Sequence, residues 1–329
     1  VLYGTTAGGG PNGDGTVFAS TTSGSERLVY SFKGGSDGAN PDAPLFAFGR
    51  ELYGTTEDGG ADNIGTVFKI NAAGKEHVIY SFAGGTDGAN PYAGLSRSGR
   101  LFYGTTESGG SFGDGTVFAI NERGKERVLY SFGASSNDGL NPYANLIAVH
   151  GMLYGTTVNG GTYGEGTVFA LTRAGVERPL YSFGGASGDG ANPRGGLILV
   201  KGTLYGTTLS GGSSDYGTVF EVTTSGAESV LYSFEGPPDG VSPFPGLTSA
   251  RGVLYGTTYD GGSGGCGSWN GCGAIFKITT SGQERVLYSF KSNPDGAHSW
   301  GGVVAAGDKL YGTASLGGTG VGTIFRISP

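Results

Sequence analysis

The stretch Leu153-Tyr154-Gly155-Thr156-Thr157 decides the fold, because near-copies of it begin at Leu2, Leu52, Phe102, Leu204, Leu254 and Leu310. Each copy is followed by a Gly-Gly pair, by Gly-Thr-Val-Phe or a variant, by a turn and, in six units, by Tyr-Ser-Phe. Recurrence every 50 to 56 residues from end to end of a 329-residue chain predicts one closed array, a single domain over 1–329.

The fourth unit shows what is repeated. Short apolar runs at 146–149, 152–157, 167–171 and 178–183 are separated by glycine turns, and no helical period accompanies them. Four such runs read as an antiparallel meander of strands a, b, c and d, with the quoted stretch as strand b. One meander cannot bury both of its faces, whereas seven packed radially can, so the expected fold is all-β, a seven-bladed β-propeller. Of the 18 Tyr and 18 Phe, 26 fall at four framework positions, which marks the seams between blades. The 70 glycines read as turns between strands. Strand d, opening with pairs such as Glu126-Arg127, suits a charged outer edge. The first unit lacks strand a and the last lacks strand d, so the terminal blades are expected to be three-stranded or completed by flanking sequence or a neighbouring subunit.

This layout resembles kelch-like propellers. More specifically, Leu-Tyr-Gly-Thr-Thr, Gly-Gly, Gly-Thr-Val-Phe and Leu-Tyr-Ser-Phe, as at 254–258 and 287–290, resemble the tandem repeats of the GloVer family. Those are exported bacterial proteins with alternative C-terminal anchors. The resemblance implies an extracellular or cell-surface protein and brings no catalytic residues with it. Val1 already lies inside a repeat, as expected of a mature or trimmed product, and no C-terminal anchor is visible. Cys266 and Cys272, six positions apart in one loop, are expected to form a disulfide, in keeping with an oxidising compartment.

In such a propeller the long b–c and d–a loops share one face. They carry 17 of the 27 acids and only Lys33, Arg194 and Lys291 of the 20 bases. An acidic face repels polyanions, so nucleic acid is excluded as its ligand. No apolar run is long enough to span a membrane as a helix. Asp42, Tyr92, Tyr143, Arg194, Phe244 and Trp300 occupy one equivalent position in the d–a loops, while Phe112, Tyr163, Tyr216, Tyr259 and Trp269 lie in the b–c loops. Rings beside carboxylates suit a sugar, whose C–H faces stack while its hydroxyls hydrogen-bond. The expected function is therefore a non-catalytic propeller recognising a glycan or protein through Asp42, Tyr92, Tyr143, Arg194, Phe244, His298 and Trp300.

Two alternatives stand beside it. The first is a polysaccharide lyase or glycosidase with His298, the only top-face histidine, as general base in an exposed loop. The second is a structural subunit of a filament or surface layer, built by head-to-tail self-association of the acidic face with the basic remainder. The d–a loops repeat Asp-Gly, at Asp37, Asp87, Asp138, Asp189, Asp239 and Asp295, which reads as an Asx turn. Calcium is the rival ligand for those six carboxylates, and no other cofactor is expected.

Overall fold

The computed structural model describes residues 1–266 and 271–329, so Trp269 lies outside the described residues. The protein is an all-β, seven-bladed propeller. Five blades have four antiparallel strands in the order a-b-c-d. In the third blade these are Ser96–Ser98, Leu101–Thr106, Thr116–Ile120 and Glu126–Ser131. The first and last sheets are three-stranded, comprising strands b to d and a to c respectively. The chain forms two compact units, Val1–Gly155 with Ala170–Arg178, and Thr156–Phe169 with Pro179–Pro329.

Each residue of the recurring motif has its own task. Its Leu and Tyr are buried. Its Gly is a packing seat and not a turn: a Cβ added at Gly104 would lie 2.6 Å from Cζ of Phe118, the strand c phenylalanine lying across it. That Phe meets the ring of the preceding blade's Tyr-Ser-Phe edge-on. Phe82–Phe118 centroids are 5.1 Å apart in the first unit, and Phe234–Phe276 centroids 5.2 Å apart in the second. Edge-to-face pairs of buried rings add roughly 0.5–1.5 kcal/mol to their burial.

The two threonines then tie strand b to its neighbours. The first gives its hydroxyl proton to the carbonyl just ahead of the next strand a: Thr55 to Ala93 at 2.8 Å in the first unit, Thr207 to Pro245 at 3.0 Å in the second. The second shares a proton with the threonine that opens strand c, as Thr106 does with Thr116 at 2.8 Å. Both are buried.

Strand d is the outer strand of each four-stranded sheet, as expected, and Arg127 and Arg285 are exposed on it, but its glutamates are not wholly at the surface. Its opening glutamates, Glu76, Glu126, Glu177, Glu228 and Glu284, are only partly exposed. Each lies against the Asp of the preceding d–a loop. Burial first, then the charges of Asp37, Asp87, Asp138, Asp189 and Asp239 in turn, push all five up to about 7. Facing basic groups, Lys33, Arg127 and Arg178, offset only part of this.

Between the unfolded carboxyl range and about pH 7, these glutamates hold protons in the folded chain that they release on unfolding. Stability therefore falls as pH rises through that interval. Urea unfolding at pH 5.5 and 7.5 should give the higher midpoint at the lower pH. Glu126→Gln, which removes one of the five, should reduce that difference by roughly a fifth, and a wild-type midpoint that does not change with pH would refute the seam assignment.

Candidate functional site

The d–a loops are held by a residue with positive φ in every repeat: Asn40, Asn90, Asn141, Asn192, Ser242 and His298, all between 54° and 57°. Asn tolerates this left-handed backbone better than most residues. Asn90 shows what the position does. Its N–H binds the Ile64 carbonyl at 2.9 Å, its side-chain amide reaches the Glu57 carbonyl at 3.5 Å, and its own carbonyl accepts Glu107 N–H at 3.0 Å. One residue thereby clamps two consecutive blades. Short ladders complete the joint, with Ala39 bridged to Asp58 and Ala89 to Ser108. Each d–a loop is thus laid against the residue that succeeds a Leu-Tyr-Gly-Thr-Thr.

In the first unit this joint assembles carboxyls. Asp42 is exposed and Glu57 and Asp58 are partly exposed. Burial, then the Glu57 charge, a hydrogen bond with Glu57 and the Asp58 charge push Asp42 up to about 7. Solvent reaching Asp42 screens those neighbours and moderates the shift. Tyr92 donates its hydroxyl to Glu57 Oε1 and stacks on Tyr143, with centroids 4.4 Å apart and planes 22° apart. Burial and the bond to Glu57 raise the Tyr92 pKa, so it remains a donor. The arrangement is a carboxyl pair beside an aromatic shelf.

In the second unit the equivalent positions form a ring chain. The Arg194 guanidinium lies 5.3 Å from the Phe244 centroid, Phe244 meets Trp300 edge-on at 4.5 Å, and Trp300 meets Tyr259 at 5.0 Å. Tyr259 lies 4.6 Å from His298. Trp300 is half exposed, but His298 is 4% exposed, which corrects its expected place in an exposed loop. His298 Nδ1 is 3.1 Å from both the Tyr259 carbonyl and Asp260 Oδ1. Hydrogen-bond geometry favours the carbonyl, since Asp260 Oδ1 is buried with no hydrogen-bond partner. The carbonyl bond is the one Asn192 makes to Val158 at 3.1 Å in its own repeat. His298 is thus a clamp residue whose Nδ1 replaces an asparagine amide.

The six loop aspartates are committed as well. Each accepts the hydroxyl of its Tyr-Ser-Phe tyrosine, from Tyr30 to Asp37 at 2.7 Å through Tyr288 to Asp295 at 2.8 Å. Backbone N–H groups take further positions, as Ala83 does on Asp87 at 2.7 Å. Among the described residues, no three His, Cys, Asp or Glu side chains gather as a metal-ligating group. Cys266 and Cys272 are joined as a disulfide. No helix among the described residues is long and apolar enough to cross a membrane.

Residues of the equivalent d–a position thus lie in two clusters, one in each unit. Glu57, Asp58 and Asp260 join them without having been expected. The signal for these was the pair of residues after each Leu-Tyr-Gly-Thr-Thr, of which the first varies from Ala7 to Glu57, Glu107, Val158, Leu209, Tyr259 and, after the last variant, Ser315, and the second includes Asp58 and Asp260.

These features define a propeller with clustered carboxyls and aromatic rings where its d–a and b–c loops meet. The chain belongs to the Gloeobacter/Verrucomicrobia repeat family, which matches it at residues 1–198, 73–270 and 141–329. That match does not single out a kelch-like subtype. Comparison with curated proteins gives no match. Among solved structures, the periplasmic gluconolactonase of Pseudomonas aeruginosa is 18% identical, with TM-score 0.54 over 99% of this chain and 96% of that one. A putative 6-phosphogluconolactonase from Bacteroides uniformis is 15% identical, with TM-score 0.57 over 99% and 95%. A puromycin-hydrolyzing peptidase of Mycobacterium tuberculosis is 12% identical, with TM-score 0.61 over 96% of this chain and 47% of that one. These likenesses establish the fold. The expectation of a non-catalytic propeller that only binds a glycan or protein is corrected on a narrower ground: two propellers matched along nearly the whole of both chains are named as lactonases.

The clamp assignment separates two substitutions. His298→Asn, which restores the residue of four other repeats, should leave the urea midpoint nearly unchanged. His298→Ala should cost about 1–2 kcal/mol through the lost bond and the strained backbone. Equal losses in both would remove the clamp.

Proposed function

We propose that the protein is a hydrolase acting on a sugar-derived lactone or a similar cyclic ester, with Asp42 and Glu57 as its acid–base pair. The carrying observation is that pair: Asp42 is pushed up to about 7 beside Glu57, which Tyr92 holds by a hydrogen bond. Two neighbouring carboxyls that differ in protonation are what acid–base hydrolysis needs. The names of the lactonase propellers support the substrate class.

In this reading the sugar ring lies on the exposed parts of the Tyr92–Tyr143 shelf. Glu57 takes a proton from water as its oxygen bonds to the ester carbon. The tetrahedral intermediate collapses, the bond to the ring oxygen breaks, and Asp42 gives that oxygen its proton. The product is the open hydroxy acid. Proton transfer from Glu57 to Asp42, directly or through solvent, resets the pair. General acid–base assistance of this kind is worth on the order of 100- to 10,000-fold. The repeat family and the Cys266–Cys272 disulfide support a place outside the cytoplasm, at the cell surface or beyond. Calcium at the aspartate loops has to compete with tyrosine hydroxyls already bound there.

Glucono-δ-lactone hydrolysis followed by pH-stat, corrected for the buffer rate, tests the reading. The protein should accelerate opening, Asp42→Asn and Glu57→Gln should each lower kcat/KM by about 100-fold or more, and Tyr143→Ala should mainly raise KM. Activity should decline above about pH 7 as Asp42 loses its proton. Absence of acceleration across a panel of sugar lactones, or full activity in both carboxyl variants, would sink it.

A further inference from the structure

At the opposite end of the third blade, the a–b and c–d turns flank a shallow, open cleft of about 620 Å³ lined by Arg97, Arg100, Leu101, Asn121, Glu122 and Arg123. Here the third repeat breaks with the others. The positions matching Arg97 hold Ala47, Ala148, Leu199, Ser249 and Ala305, and those matching Arg123 hold Ser23, Ala73, Ala174, Ser225 and Ser281. The framework needs no arginine at either place.

Arg97 is fixed before any ligand arrives. Its guanidinium carbon lies 3.5 Å from the Phe48 centroid and 5.9 Å from the Phe102 centroid, a cation–π contact with Phe48 that limits its rotamers. Its Nε is buried with no hydrogen-bond partner. Beside it, Arg173 donates to Ser98 Oγ. Among the described residues, the three lining arginines make no salt bridge; Glu51, the next acid along, pairs with Lys69 at 3.4 Å. Glu122 is the single carboxylate in the lining.

Three guanidiniums against one carboxylate leave an excess of positive charge along one open cleft, which favours an anion there. Guanidinium forks match the oxygen spacing of phosphate, sulfate and carboxylate groups. The volume suits a sugar-sized ligand, whose binding clefts run from roughly 300 to 1,000 Å³. We propose that this cleft binds the oxyanion of a sugar-sized acidic ligand. Arg100 and Arg123 grip the anion, Arg97 supplies a fixed donor, and Leu101 and Asn121 meet the body of the ligand. The proposal is independent of the carboxyl pair.

Calorimetry on the intact chain at low salt tests it, first with inorganic phosphate and then with glucose 6-phosphate, glucose 6-sulfate and glucuronate, which distinguish the possible sources of the oxyanion. At least one sugar acid should bind with a Kd below about 1 mM, and binding should weaken steeply as salt shortens the screening length from about 30 Å to about 8 Å. The double variant Arg100→Ser, Arg123→Ser, on exposed turns, should weaken binding about 10-fold or more while keeping the wild-type unfolding midpoint. Arg97→Ala, which installs the residue of three other repeats, should do the same. No heat with any of the four probes, unchanged affinity in the double variant, or equal binding of neutral glucose would overturn the proposal.

Discussion

The hydroxyl of the first threonine in each Leu-Tyr-Gly-Thr-Thr holds the loop-borne chemistry in place. It reaches the carbonyl immediately ahead of the following strand a: Ala43, Ala93 and Ala144 in the first unit, and Gly195, Pro245 and Gly301 in the second. The residue one position earlier is, in order, Asp42, Tyr92, Tyr143, Arg194, Phe244 or Trp300. Each variable side chain is therefore tethered next to an invariant bond. A buried hydrogen bond is worth only about 0.5–1.5 kcal/mol net, but losing it would leave a carbonyl unsatisfied beside the residue whose position matters most.

Carboxyls with raised pKa occur in two settings, and the setting decides their meaning. At the seams, Glu76, Glu126, Glu177, Glu228 and Glu284 recur at the same strand position with the same facing aspartate. Recurrence marks them as framework: protonated, they accommodate a neighbouring carboxylate where a charged residue would be costly. Asp42 has the same raised range but belongs to one repeat alone, is solvent-accessible, and shares its partner Glu57 with a tyrosine hydroxyl. Accessibility and uniqueness, more than the shift itself, separate the pair proposed to react from the structural ones.

The fold was legible because period, turn glycines and seam aromatics are local signals repeated many times. Leu153 to Thr157 could be assigned to a strand from its neighbours alone. What escaped was tertiary. The motif glycine resembles any turn glycine until the Phe118 ring is seen to lie on Gly104. The strand d glutamates read as an edge because sequence does not show that a preceding aspartate faces them. His298 looked like an exposed substitution, since nothing local indicates that an imidazole Nδ1 and an asparagine amide can make the same bond to a carbonyl of the preceding blade. Asp42 and Glu57 stand 15 positions apart and meet only through the ladder that pairs Ala39 with Asp58.

In a repeat protein, then, function is to be sought at positions that the framework holds but does not specify. The position after the loop proline is tethered on its C-terminal side by the threonine bond and on its N-terminal side by the left-handed clamp, yet no framework contact dictates its side chain. The residue after each Leu-Tyr-Gly-Thr-Thr has the same freedom: its backbone N–H and carbonyl are bound to clamp residues while its side chain varies. These two positions adjoin at each joint, so every joint can offer a pair of side chains at nearly constant backbone geometry. Carboxyl and phenol in one joint, Glu57 with Tyr92, and aromatic in another, Tyr259 with Trp300, such pairs let one scaffold carry different chemistry at different blades without altering the bonds that hold it together.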